Sequence, residues 1–229
     1  MAEVILISNV RLSFPHLIDP QRNVDAVTGK ERVSYNCELI MPKEHPGFVA
    51  FMRQYSEMAA AEWKDHAAQV MQMIQNDRKS RCYGLGEEKV NKKTFTPYDG
   101  YPGMVFITAG SNTPPQIIQD DGNPIDPANT MAYQLLTRKM YGGCRVNAAV
   151  KPWIQKNKHG NGIRCDLVAL QFAADDVAFG DGPKDASGLF GAVGTTAPTQ
   201  QAPAGLFGAA VAPAPTGVIP GLPSFLQGM

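Results

Sequence analysis

"CRVNAAVKPWIQKNKHGNGIRCDLVALQF", residues 144–172, reads as two β-strands joined by a glycine-containing turn. In its first half the even positions Cys144, Val146, Ala148, Val150 and Ile154 are small or apolar. The odd positions Arg145, Asn147, Ala149, Lys151, Trp153 and Gln155 are mostly polar. A period of two puts these sets on opposite faces of a strand, so Trp153 shares the outward face with Arg145 and Lys151. Pro152 has no N–H to give a ladder, which predicts an edge or a bulge beside it. Lys158-His159-Gly160-Asn161-Gly162 is a hairpin signal. The return strand, Ile163 to Phe172, carries Arg164 near its start. Its alternation slips midway, which predicts a bulge.

The same period recurs upstream. In VILISNVRLSF the even positions Val4, Leu6, Val10, Leu12 and Phe14 form the expected core face. In RVSYNCELIMP the odd positions Val33, Tyr35, Cys37, Leu39 and Met41 do so. MVFITA (104–109) is apolar on both faces. Between these runs, Phe48, Met52, Tyr55, Ala59, Trp63, His66, Val70 and Ile74 recur at helical steps from Pro46 to about Arg78. Pro46 suits a first-turn position. Trp63 falls on the apolar stripe and is expected in the core, with His66 at its edge. The fold class is therefore α+β, mainly β: an OB-type five-stranded barrel with one long helix inserted between strands 2 and 3. Pattern alone leaves a β-sandwich open.

Composition changes at about Gly182. Residues 183–229 hold 8 Gly, 7 Pro and 9 Ala, and their only charges are Lys184 and Asp185. Such a segment buries too little to offset its ordering entropy and is expected to be a disordered tail after a domain of residues 1–182. SGLFGAV (187–193) recurs as AGLFGAA (204–210), a pair of apolar docking motifs or a product of low-complexity slippage. Leu189, Phe190, Leu206, Phe207, Phe225 and Leu226 are the candidate partner-docking residues.

The remaining composition excludes more than it selects. No stretch approaches the roughly 18 apolar residues of a membrane helix. The first nine residues do not read as a secretory signal. Four scattered cysteines and four scattered histidines show no zinc spacing, so free thiols in a reducing cytoplasm and no metal or cofactor are expected. No phosphate loop, nucleophile elbow or HExxH occurs, and QDDGNPIDP reads as a turn-rich loop rather than a metal site. An enzyme is not expected.

The net charge is +0, but the charge is segregated. Arg138 to Arg164 contains seven Lys or Arg and no Asp or Glu. A cationic strand face carrying an indole suits single-stranded nucleic acid, where cations track phosphates and rings stack on unpaired bases. Arg145, Lys151, Lys156, Lys158 and Arg164 are the candidate phosphate partners and Trp153 the stacking platform. A second cluster, KVNKKTFTPYDGY, interleaves Lys92 and Lys93 with Phe95 and Tyr98 in a loop-like stretch that would close over a strand.

Several segments in order, NVRLSFPHL, ELIMPK, GYPGMVFITAGSNTPPQIIQDDGNPI, YGGCRVNAAV and GNGIRCDLVALQFAADD, resemble the phage single-stranded DNA-binding proteins with an OB fold. The resemblance covers roughly residues 5 to 182. It implies a non-catalytic protein that coats single-stranded DNA during phage replication and recombination in the host cytoplasm. Replication or recombination proteins are the implied partners, and oligomers are compatible with it. Such binders commonly end in an acidic tail, whereas this tail is almost uncharged, so apolar docking replaces electrostatic recruitment as the expectation. The alternative is a phage structural or assembly protein that self-associates through its tail repeats.

Overall fold

A computed structural model of the chain describes residues 3–24, 29, 31–126, 129–157 and 160–180. In chain order the elements are β1 (Ile5–Val24), β2 (Glu31–Met41), α1 (Pro46–Trp63), α2 (Ala67–Asn76), β3 (Tyr83–Leu85), β4 (Val105–Ser111), β5 (Gln116–Ile118), α3 (Thr130–Lys139), β6 (Arg145–Asn157) and β7 (Gly160–Ala174). β1 pairs antiparallel with β2 and with β6, β2 with β4, and β6 with β7. A single parallel bridge, Gly110 to Asp166, joins β4 to β7 and closes a five-stranded barrel. That order is the OB-type barrel, not the sandwich. β3 extends the sheet beside β4, and β5 runs parallel to β7.

The interior is filled by the inward sets of all five strands. Ile7, Val10, Leu12, Leu39, Ile107, Val146, Val150 and Ile163 are almost fully buried, each contributing roughly 1.5–3 kcal/mol of transfer free energy. On β6 and β2 the expected alternation holds at Val146, Ala148, Val150, Cys37, Leu39 and Met41. On β1 it does not: Val4 and Leu6 are exposed, while Ile5 and Ile7 are buried. The physical reason is a bulge. Between Ile7 and Val10 β1 advances three residues while β6 retreats two, and Asn9 takes a φ of 56°. One extra residue exchanges the faces. A second shift, between Ser13 and His16, turns Phe14 outward from the core face expected for it. On β7 the slip midway is a shift between Ala149 and Val150 of the β6 pairing.

The two-sided apolarity of 104–109 has a separate cause. Ile107 and Ala109 face the barrel interior, whereas Phe106 joins Ile40 and Tyr101 in a small outer cluster. That cluster is covered by Tyr98, Met104 and Phe179. The expected long helix begins at Pro46, where His45 Nδ1 accepts the Gly47 N–H at 3.1 Å. It buries Phe48, Phe51, Tyr55 and Ala59. It is not continuous: Lys64, at φ 47°, ends α1, and a 3-10 turn at Lys64–His66 leads into α2. Trp63 is half-buried against the core, but His66 is exposed rather than at the core edge. α3 was not apparent in the sequence pattern, which is interrupted there by Gln134, Arg138 and Lys139.

Residues 175–180 are strapped back onto the barrel. Arg11 and Arg145 stand directly opposite each other on β1 and β6, and Asp176 bridges them at 3.5 and 2.7 Å. Two like charges across a ladder repel, so the carboxylate between them is structural. Phe179 then lies under the Arg11 guanidinium, 4.5 Å from its ring centroid. Its ring sits so close to Gly100 that a Cβ there would approach within 2.2 Å.

Candidate nucleic-acid interface

The outward faces of β2 and β4 form the floor of a cleft of about 750 Å³. Ser34, Asn36 and Glu38 alternate along β2, and Thr108 and Gly110 along β4. At the closure of the barrel Gly110 leaves bare backbone, because a Cβ there would lie 3.3 Å from Asn36 Cβ and from the Tyr35 carbonyl oxygen. One wall is the β1–β2 hairpin, which supplies Phe14, His16, Gln21 and Arg32. The opposite wall is the β6–β7 hairpin, with Trp153, Gln155, Arg164 and Asp166. The segment after α2 closes the third side with Arg78, Arg81 and Lys89, and Tyr98 stands beside them.

Beside the His16 imidazole, three larger aromatic rings therefore line the cleft: Phe14, Tyr98 and Trp153. Phe14 has a φ of 44° and meets Tyr98 edge-on at 5.1 Å. Trp153, 37% exposed, donates its indole N–H to Asp166 Oδ1 at 2.6 Å, which fixes the ring plane. Arg164 lies directly across the ladder from Trp153 and donates Nε–H to Gln155 Oε1 at 2.5 Å. A glutamine spends no charge, so Arg164 keeps its own.

The remaining charges sort into spent and available. Glu38, nearly buried in the floor, accepts from Lys89 and from the Tyr101 hydroxyl at 2.5 Å. Burial, and then the Glu38 charge, push the Tyr101 hydroxyl above its ordinary range, so it remains a donor. Lys89 also lies 4.9 Å from the centroid of Phe14. Arg81 is bound to Glu88 at 2.6 Å. Among the described residues Arg32, Arg78 and Arg164 make no ion pair within 4 Å, although Arg164 still favours the Asp77 carboxylate through its charge. Five Lys or Arg line the cleft against Glu38 and Asp166, so its field is positive although the chain is neutral.

The structure distributes the expected site residues unevenly. It brings Trp153 and Arg164 into the cleft, with Tyr98 from the second cluster. Lys151 is exposed two residues before Trp153, opposite Asp166 in register. Arg145 lies away from the cleft, at the far end of β6, held by Asp176 and by the Asn9 carbonyl at 3.1 Å. Lys156 does not line the cleft either. Its even parity turns it from Trp153 toward α1, where it pairs with Glu62. The acid-free run around both lysine and arginine is acid-free only in sequence; the tertiary fold supplies the carboxylates. Lys158 and the docking candidates Leu189, Phe190, Leu206, Phe207, Phe225 and Leu226 lie outside the described residues. Phe14 and Arg32 line the cleft without having stood out in the sequence, and Lys89, which opens the second basic cluster KVNKKTFTPYDGY, lines it too. Lys92, Lys93 and Phe95 lie in a hydrogen-bonded finger beside the cleft, with Phe95 at its tip.

Ligands of OB barrels bind across the second and third barrel strands, between the hairpin walls. The fold and this ring-lined, cationic face define an oligonucleotide-binding OB barrel. A family model described as "Enterobacter phage Enc34, ssDNA-binding protein" matches residues 3–199, and the chain belongs to that family. The solved structure of the single-stranded DNA-binding protein from bacteriophage Enc34 in complex with ssDNA is 27% identical, with a TM-score of 0.56. The match covers 77% of this chain and 89% of that one. A structure of the same phage protein described without DNA gives 25% identity and a TM-score of 0.55, over 80% and 88% of the two chains. "Putative protein p50" of Acyrthosiphon pisum secondary endosymbiont phage 1 is 26% identical over 180 residues, 78% of this chain and 87% of its own length. Among the described residues no helix is long and apolar enough to cross a membrane.

Proposed function

We propose that the chain is a phage protein that binds single-stranded DNA along the β2–β4 cleft, without catalysis and without strong sequence preference. Family membership supports the reading, as does the similar Enc34 protein whose structure holds ssDNA. The observation that carries it is the convergence of Phe14, Tyr98 and Trp153 with Arg32, Arg78 and Arg164, cations in no ion pair within 4 Å among the described residues. Rings stack on any base, so such a face is tolerant of sequence, while the cations follow the phosphates. Trp153 and Arg164 act together across one ladder position, and Lys151 adds charge at the rim. Coating of strands during replication and recombination, in the host cytoplasm, is the setting this activity suits.

In the same reading residues 1–182 bind DNA and residues 183–229 recruit replication or recombination proteins. Recruitment would run through Leu189, Phe190, Leu206, Phe207, Phe225 and Leu226. Removing residues 183–229 is then expected to leave oligo-dT affinity intact while abolishing recruitment.

The test of binding is a fluorescence titration with oligo-dT at two salt concentrations beside a duplex control. Salt-sensitive quenching that favours the single strand is expected, with log K falling by about 0.7 per phosphate contact for each decade of salt. No response at low salt refutes the reading.

A further inference from the structure

We infer that the segment Lys89–Tyr98 is a hydrogen-bonded finger that takes up a second stretch of the strand beyond the barrel face. Its tip ring, Phe95, would be a stacking platform of its own. The inference rests on the cleft reading above and adds a separate subsite to it.

The finger is built like a short hairpin. Tyr98 N–H donates to the Lys89 carbonyl at 3.1 Å, Asn91 N–H to Thr96 at 2.9 Å, and Phe95 N–H to Asn91 at 2.8 Å. Val90 and Pro97 form an antiparallel bridge, and Asn91 Oδ1 caps the turn by accepting the Lys93 N–H at 2.8 Å. Nothing in this bonding needs an aromatic at the tip. Phe95 nevertheless occupies the left-handed region at φ 56°, where glycine or asparagine is usual and a bulky residue is an outlier. Its ring is 82% exposed. A residue that strains the backbone and buries nothing does no work for the fold, and such outliers gather at functional positions.

The surroundings say what the ring would meet. A second basin of about 600 Å³ adjoins the cleft, lined by Arg78, Lys89, Lys92, Lys93 and Tyr98 among others, with no acidic residue. Arg78, Lys89 and Tyr98 line both basins, so the two are continuous. A polyanion leaving the barrel face past Tyr98 finds the next cations at Lys92 and Lys93; Phe95 does not line the basin itself but stands exposed at the tip of the finger that carries both lysines. Alternating phosphate partners and base platforms is the chemistry of an unpaired strand, not of an isolated anion.

The test uses the full chain and oligo-dT from about 6 to about 24 nucleotides, bracketing the roughly 4–16 that one OB fold covers. Affinity is read with one copy bound per oligonucleotide. Phe95→Gly is expected to leave the shortest bound oligonucleotides unaffected and to weaken the longer ones about tenfold, one stacked base's worth. Its melting temperature should not fall, because glycine adopts the left-handed conformation without strain. Lys92→Gln with Lys93→Gln should lower the salt slope by about 1.4 on long oligonucleotides only. If Phe95→Gly matches the parent at every length, or weakens short and long alike, the finger is not a separate subsite. Failure of the parent chain to bind any length would instead remove the cleft reading itself.

Discussion

Replacing Trp153 with alanine tests the interface where its geometry is best defined. The indole is 37% exposed, so its removal costs folding less than the roughly 3–5 kcal/mol of a core tryptophan. Asp166 loses a donor at 2.6 Å but is itself exposed, so water replaces it. What remains is the loss of one stacked base, about 1–3 kcal/mol, equivalent to a Kd increase of about 5- to 160-fold. Since the ring carries no charge, the salt slope of the variant should equal the parent's, which separates lost stacking from lost phosphate contacts. Fluorescence anisotropy of labelled oligo-dT at several salt concentrations measures both quantities. Trp153→Phe keeps a ring face but no N–H, and its Kd should stay nearer the parent's. This variant also leaves Trp63 as the only tryptophan, so DNA-induced quenching should disappear although binding persists. A folded Trp153→Ala protein with the parent's Kd would refute the argument.

Other perturbations separate the interface from the scaffold. Arg164→Gln should weaken oligo-dT binding and lower the salt slope by about 0.7. Arg145→Gln should leave both within error and cost at most about 1 kcal/mol in thermal or urea unfolding, because its charge is spent on Asp176. The Asp176 carboxyl is held below the usual range, first by the Val177 N–H and then by Arg11 and Arg145. A folded-state pKa below the unfolded one gives stability that is present above about pH 4 and is lost as pH falls through the folded value. Asp176→Asn should therefore be less stable near neutrality and should lose less further stability between about pH 5 and pH 2 in urea titrations. Phe179→Ala should loosen the cluster beneath Tyr98 and lower both the melting temperature and oligo-dT affinity. Ending the chain after residue 180 should spare both, and ending it after residue 174 should not.

Much of this barrel was legible along the chain. Strict alternation in β6 and in the inward half of β2 predicted their core residues, since a pleated strand has only two faces. The β6–β7 hairpin and the helix start at Pro46 followed from local chemistry alone. The faces of β1 were not legible, because a bulge is one extra residue whose position depends on the partner strand. Nor was α3, whose three-turn length and mixed composition leave too weak a period. Of the residues lining the cleft, Trp153 and Arg164 were accessible from parity and charge. Phe14, Arg32 and Lys89 come from three segments far apart in sequence, and only barrel closure brings them to one cleft.

The chain by itself thus determined the faces of β6 and of the inward half of β2, the hairpin and the placing of one indole outside the core, all consequences of backbone geometry over neighbouring residues. Which cations are available to a ligand was decided in three dimensions. Arg145 and Lys156 sit in a run without acids, yet Asp176 and Glu62 reach them across the fold. Charge acts through space, and the distances that set it exist only once the barrel has closed.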